Sequence, residues 1–154
     1  MRAVVALGSN LGDRRANLTW GLEALVSLGK IRPSPLVMES PDESRQGPDF
    51  LNTVALLEGT APDPRRLLES LLGIELERGR DRNLGRNAPR TLDLDLIAVE
   101  GWTGSWSWPA PAGLRALGPR LELVLPHPRA GARAFVLEPL RALDPALVPW
   151  ILPP

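Results

Sequence analysis

Apolar residues fall along this chain in short blocks that follow two different periods. Residues 3–7, Ala-Val-Val-Ala-Leu, form an unbroken apolar run ended by Gly8-Ser9-Asn10, which reads as a buried strand. From Asp13 the spacing changes. Leu18, Leu22, Leu25 and Val26 share one helical face, with Asp13 placed to cap a helix that runs to about Leu28 and Gly29 to stop it. A second strand is predicted near Leu36–Ser40 and a third over Phe50–Leu57, with a polar, Pro/Gly-bearing loop at Pro41–Pro48 between them. Asp63-Pro64 pairs a capping carboxylate with proline at a first helical position, and Leu67, Leu68, Leu71, Leu72 and Leu76 carry the helical period on to Gly79. Thr91–Val99 reads as a fourth strand, with Leu92, Leu94 and Leu96 alternating against Asp93, Asp95 and Ile97. Residues 101–120 read as irregular and rich in Gly, Pro, Ser and Trp. A short strand near Leu121–Leu125 and a short helix near Val136–Leu143 complete the chain. With no internal repeat and no boundary signal, one domain over 1–154 is expected. The element order predicts an α+β sandwich, a mainly antiparallel sheet covered by helices.

Composition narrows the function classes. None of the apolar runs approaches the roughly 18 residues that a membrane span needs, and the N-terminal run is broken by Gly8 too soon for a signal peptide. A cytoplasmic protein without a membrane partner is therefore expected. The chain has no cysteine, which excludes disulfides and thiolate metal sites, and its single histidine, His127, excludes a multi-histidine zinc site within one chain. Eighteen basic residues balance 18 acidic ones, so a generic nucleic-acid coat, which needs a positive excess, is disfavoured. Nearly all of the cations are arginine, a bias that a GC-rich genome or a heat-adapted host also produces, so chemistry has to be sought in local arrangement.

Four local arrangements carry chemistry. Asp93 and Asp95, two apart on a strand, project on one face while the leucines pack on the other. Such a pair repels itself unless a cation sits nearby, as a hard divalent ion bridging to phosphate would. A solvated strand face or pairing with arginines is the alternative. Residues 78–90 hold five arginines against one aspartate and run directly into that strand. Guanidinium groups and a carboxylate-bound metal together suit a polyphosphate, while a surface ion-pair network is the plainer reading. His127 lies between Pro126 and Pro128, which fix the backbone and display the ring; with Arg129 and Arg133 it offers a second anion contact, or else a structural hydrogen bond. Phe50 and Asn52 share a strand face and offer a flat heteroaromatic ring both a stacking surface and a polar edge partner, unless both are simply core and turn residues.

In this order the pieces resemble the 6-hydroxymethyl-7,8-dihydropterin pyrophosphokinase family. The resemblance is carried by Ala6-Leu-Gly-Ser-Asn-Leu-Gly-Asp-Arg14, Pro48-Asp-Phe-Leu-Asn52, Ile74-Glu-Leu-Glu-Arg-Gly-Arg80, Pro89-Arg-Thr-Leu-Asp-Leu-Asp-Leu96, and Leu125-Pro-His-Pro-Arg129 with Arg133-Ala-Phe-Val-Leu137. It spans residue 3 to about 140 and implies a ferredoxin-like core. It further implies that Asp93 and Asp95 hold two magnesium ions on ATP and that Arg80, Arg90 and His127 bind the triphosphate. Arg82 and Arg86 would close from the loop, and Arg133 would support the pocket. Phe50 and Phe135 would sandwich the pterin, Asn52 would read its edge, and Ser40 and Pro41 would contact it from a loop. Departures exist: Asn87-Ala88-Pro89 stands where the family usually has Trp-Gly-Pro, Asp42 and Glu43 stand where an apolar residue is common, and 101–120, with Trp102, Trp106 and Trp108, is longer than usual.

The reaction so implied is in-line attack of the pterin hydroxymethyl oxygen on the β-phosphorus of ATP, a step in folate synthesis that releases AMP. Arg80, Arg90 and Asp95 would be the catalytic residues, and Asp95 or a metal-bound water the proton acceptor. A monomer or weak homodimer is expected. The rival readings are a catalytically impaired nucleotide-binding or regulatory module, which Asn87 keeps open, and an RNA-binding sandwich domain, which zero net charge disfavours.

Overall fold

The computed structural model describes residues 1–45, 47–79 and 91–152. Arg80, Arg82, Arg86, Asn87 and Arg90 therefore lie outside the described residues. Five strands make one antiparallel sheet. The central strand β1 (Arg2–Ser9) lies next to β4 (Phe50–Gly59) on one side and β5 (Asp93–Val99) on the other. The far edge of β4 pairs with β2 (Gly29–Pro33) and, further along, with β3 (Met38–Ser40). With α1 (Arg14–Leu25) and α2 (Pro64–Glu77) linking strands across it, the order β2-β4-β1-β5 is the ferredoxin-like sandwich that was expected.

Both helix starts form as their sequences demand. The Asp13 carboxylate accepts from the N–H of Ala16 at 3.0 Å, and that of Asp63 from the N–H of Arg65 at 2.8 Å, with Pro64 opening α2. The helices bury Leu18 and Leu25, and Leu67, Leu71 and Ile74, against Ala3, Val5 and Leu7 of β1 and Leu94 and Leu96 of β5. The opposite sheet face carries Val4, Val54, Leu56 and Ile97. They are covered by Val136, Leu137 and Leu140 of α3 (Ala134–Leu143) and by Leu147 in the turn beyond it. A strand buried on both faces reads as a continuous apolar run, which is why β1 alternates so little. Toward Ser9, beyond α3, the second face instead carries Gly8 and, on the neighbouring strands, Asn52 and Asp93.

Three elements differ from expectation. Helix α1 stops at Leu25, a single 3-10 turn covers Val26–Leu28, and Gly29 opens strand β2, which the sequence reading left out. The segment Gly-Lys-Ile-Arg-Pro has one apolar side chain because it is a sheet edge, so no burial pattern betrays it. Its glycine is required: φ is +155°, and a Cβ there would lie 2.1 Å from the Glu58 carbonyl oxygen. Residues 101–120 are not irregular throughout. Gly104–Pro109 forms β6, which pairs antiparallel with β7 (Arg120–Leu125), setting Trp106 opposite Leu123 and Trp108 opposite Leu121. The Ser-Trp-Ser-Trp alternation is a strand signal that the flanking Gly and Pro residues obscure. Trp108 is buried in the α2-side core and its indole N–H donates to Glu69 Oε2 at 3.0 Å, whereas Trp102 stays 38% exposed. Among the described residues no helix is long and apolar enough to cross a membrane.

Gly29→Ala should destabilise the fold by about 1–3 kcal/mol, because the clash is with backbone that cannot swing away. Urea unfolding of the variant beside the parent checks this.

Candidate active site

The site follows from strand register. Gly8 lies opposite Asn52 on β4 and opposite Asp93 on β5, and two residues back Ala6 lies opposite Val54 and Asp95. Side chains at these positions share the face that α3 leaves open. Asn52 and Asp93 thus stand on either side of a residue with no side chain, roughly 10 Å apart by two strand spacings. Glycine is needed to keep that floor low: a Cβ on Gly8 would come within 3.2 Å of Asn52 Oδ1 and 3.3 Å of the Phe50 ring. The Asn52 amide nitrogen donates to Ser40 Oγ at 2.9 Å and to the Met38 carbonyl at 3.2 Å, which orients the side chain and turns Oδ1 toward Gly8.

The rim beside Ser40 is a loop folded around its own carboxylate. Asp42 is 8% exposed and accepts from the N–H and Oγ of Ser44, at 3.1 and 2.8 Å, and from the N–H of Gly47 at 2.9 Å. The ends of the loop are tied to the start of α1. Asn10 donates to the Pro48 carbonyl at 3.1 Å, and Arg14 to the Asp49 carbonyl at 3.0 Å and to Glu39 at 2.7 Å. The acidic departures at 42 and 43 thereby acquire separate explanations: Asp42 builds the loop, and Glu43 reaches across to Arg133, whose Nη2 donates to Glu43 Oε1 at 2.5 Å. The Arg133 guanidinium carbon also lies 5.4 Å from the centre of the Phe135 ring.

His127 enters from the turn after β7. The Leu125–Pro126 peptide is cis, and the His127 N–H donates to the Ile97 carbonyl at 2.7 Å, tying the turn to the strand that carries Asp95. Burial holds the imidazole below its ordinary value of 6.5, and the positive charges of Arg133 and Arg129 push the same way, with Asp93 and Glu43 partly opposing them. The ring is therefore neutral near pH 7. Its Nδ1 accepts from the Arg129 N–H at 3.2 Å, so Nε2 carries the proton and is a donor.

Ser40, Pro41, Phe50, Asn52, Asp93, Asp95, His127, Arg133 and Phe135 all border one cavity of about 610 Å³. A second cavity, of about 430 Å³, opens between Leu68 and Leu72 of α2 and Leu123 and Val124 of β7, and it shares Asp93, Asp95 and His127 with the first. Among the described residues no cluster of three or more His, Asp or Glu could hold a metal ion. A cation on Asp93 and Asp95 would need further oxygens from water or phosphate, the habit of magnesium rather than of a closed protein cage, so the donor set fits it. Sequence reasoning missed Gly8 as the cavity floor, the loop-building role of Asp42, and the second cavity. Asp42 had a signal, since Asp two residues before Ser is a common turn-former. The second cavity had none, because its leucines read as ordinary core.

Two cavities meeting at a carboxylate pair, with a cation and a neutral imidazole donor alongside, suit the transfer of an anionic group between two bound molecules. The fold and the site's layout fit a small phosphoryl-group transferase. Residues 4–145 match the family described as 7,8-dihydro-6-hydroxymethylpterin-pyrophosphokinase. The chain is 41% identical over 150 residues to the 2-amino-4-hydroxy-6-hydroxymethyldihydropteridine pyrophosphokinase of Pseudomonas aeruginosa, covering 95% of this chain and 82% of that protein. It is 36% identical over 144 residues to the enzyme of the same name from Mycobacterium tuberculosis, covering 94% of this chain and 73% of the relative. The crystal structure of Plasmodium falciparum HPPK-DHPS superposes with a TM-score of 0.65 at 15% identity, over 94% of this chain and 40% of that one, a likeness of fold. The chain belongs to the 7,8-dihydro-6-hydroxymethylpterin-pyrophosphokinase family and is a transferase of that kind.

The depressed His127 value has a signed consequence. The folded protein binds its proton less readily than the unfolded chain does, so stability is complete above about pH 6.5 and declines as pH falls toward the lower folded value. The sole histidine resonance should titrate below 6.5 by NMR, and His127→Gln should remove this part of the acid loss in thermal unfolding followed against pH.

Proposed function

We propose that the chain transfers the terminal pyrophosphoryl group of ATP to the hydroxymethyl oxygen of 6-hydroxymethyl-7,8-dihydropterin, releasing AMP, as a step in folate synthesis. The observation that carries this reading is the register row Asn52–Gly8–Asp93. It puts an amide side chain and the first of two acids on one sheet face inside one cavity, as such a reaction would need. Phe50 and Phe135 supply aromatic walls for the pterin, Asn52 Oδ1 accepts from its donor edge, and Ser40 and Pro41 close the rim. The second cavity takes the nucleoside, with Leu68, Leu72 and Leu123 against the base.

The triphosphate then spans the junction that the two cavities share. Asp93 and Asp95 would hold magnesium, two ions by family resemblance, and magnesium when bound neutralises and orients phosphate oxygens. His127 donates from Nε2 and Arg133 presents its guanidinium to the same oxygens. Arg80, Arg82, Arg86 and Arg90 are assigned there by resemblance. The hydroxymethyl oxygen attacks the β-phosphorus, its proton passes to Asp95 or on to solvent, the bond from that phosphorus to the α,β-bridging oxygen breaks, and AMP leaves. No protein nucleophile is required: the residues align two substrates and stabilise charge.

The test is the nucleotide product. With ATP, magnesium and the hydroxymethyl dihydropterin, the protein should release AMP and a pterin pyrophosphate; ADP, or no nucleotide product, would overturn the reading. Asp95→Ala should lower AMP formation by about 10²-fold or more with little change in thermal unfolding. Gly8→Ala, which raises the cavity floor by one methyl group, should raise the KM for the pterin by roughly tenfold or more and leave that for ATP near the parent value.

A further inference from the structure

Glu43 and Arg133 form an ion pair across the mouth of the first cavity, and the two partners are held very differently. The Arg133 side chain is 12% exposed and lies against Phe135, whereas Glu43, on the rim loop, is 57% exposed. One arm of the guanidinium, Nη2, is engaged by the carboxylate; the buried Nε has no hydrogen-bond partner among the described residues. A guanidinium carries five N–H donors in a rigid fork that matches phosphate oxygens. Here that fork is fixed in the site, part of it is unused, and part is taken by an acid on an exposed loop. Both charges also bear on His127, together with Asp93 and Arg129, so the negative charge of Glu43 is felt at the group that would touch phosphate.

We propose that Glu43 is a displaceable counter-ion for Arg133. It holds the guanidinium across the empty cavity and gives it up to the phosphate oxygens of a bound ligand. Its carboxylate, left nearby, then weakens the hold on the pyrophosphorylated product and speeds its departure. Such a group serves an enzyme whose product is more anionic than the pterin it started from. A buried arginine with no counter-charge would hold that product too firmly. The idea rests on the transferase reading of the same site, and it makes Glu43 a positioning residue that acts through Arg133. If the pair instead remained closed as a clasp over the ligand, removing the carboxylate would loosen binding, so the two roles differ in sign.

The probe is the dihydropterin pyrophosphate product with magnesium, its dissociation constant measured by titration calorimetry on the parent chain, Glu43→Gln, Arg133→Met and the double variant. Glu43→Gln should bind the product at least threefold tighter, release it more slowly in stopped flow, and show a lower kcat with unchanged thermal unfolding. In the Arg133→Met background the same substitution should give no gain. Equal or weaker product binding by Glu43→Gln would overturn the proposal. A gain of the same size without Arg133 would overturn it too, since that is plain repulsion rather than competition for the guanidinium. AMP release by the parent chain keeps the two ideas apart. If AMP forms and the Glu43 result fails, only the counter-ion role falls; if no AMP forms, the transferase reading falls with it.

Discussion

The parity of one central strand governs this molecule. Successive side chains of β1 point to opposite faces, and β4 and β5 pair with it on either side, β5 with one register shift between Val4 and Val5 and in step from Val5 to Gly8. Ala3, Val5 and Leu7 are thereby committed to the core under α1 and α2. Ala6 and Gly8 are committed to the other face, together with Asn52 on one neighbour and Asp93 and Asp95 on the other. A slip of one residue against β5 would carry a leucine into the cavity and a carboxylate into the core, and a slip against β4 would take Asn52 off the cavity face. Burial on the helical face therefore protects the layout of the chemical face, and the most apolar part of the chain holds the polar groups in place.

Charge is arranged on that platform in a graded way. The carboxylate pair sits on the sheet, the most rigid element. The histidine is tied to β5 through a backbone hydrogen bond, kept neutral by burial and by two arginines, and left with a donor to offer. Arg133 leans on an aromatic ring at the start of α3, and Glu43, an exposed charge, is on the loop. Exposure thus rises from the groups that define geometry to the rim acid on the loop.

Much of this was legible in the sequence, and the rest was not for identifiable reasons. Strong burial writes a clear pattern: β1, β4, α2 and β5 lie within two residues of where their periodicities place them. Asp93 and Asp95 stood out because acids alternating with leucines can only face away from a core. Strand β2 was lost because a sheet edge buries almost nothing, and β6 because its glycine and proline neighbours argued louder than its alternating tryptophans. Phe50, Asn52 and His127 stood out by local arrangement and Ser40 and Phe135 by resemblance, and the structure brings all five to one cavity. What no linear pattern conveys is which residues become neighbours through pairing: Gly8 as a floor, or Glu43 meeting an arginine ninety positions away. The arginines of 80–90 lie outside the described residues, and their part in the site stands on resemblance.

The hairpin of β6 and β7 has one more implication. A lone two-stranded ribbon is barely stable in water, and this one takes its footing from Trp108, whose indole is pinned to Glu69 of α2, and from Leu121, Leu123 and Leu125, which sink into the same core. Since β7 walls the second cavity, the two substrates would meet unequal jaws. One is the five-stranded sheet, its spacing set by register; the other is a two-stranded ribbon whose position depends on the side chains it sinks beside α2.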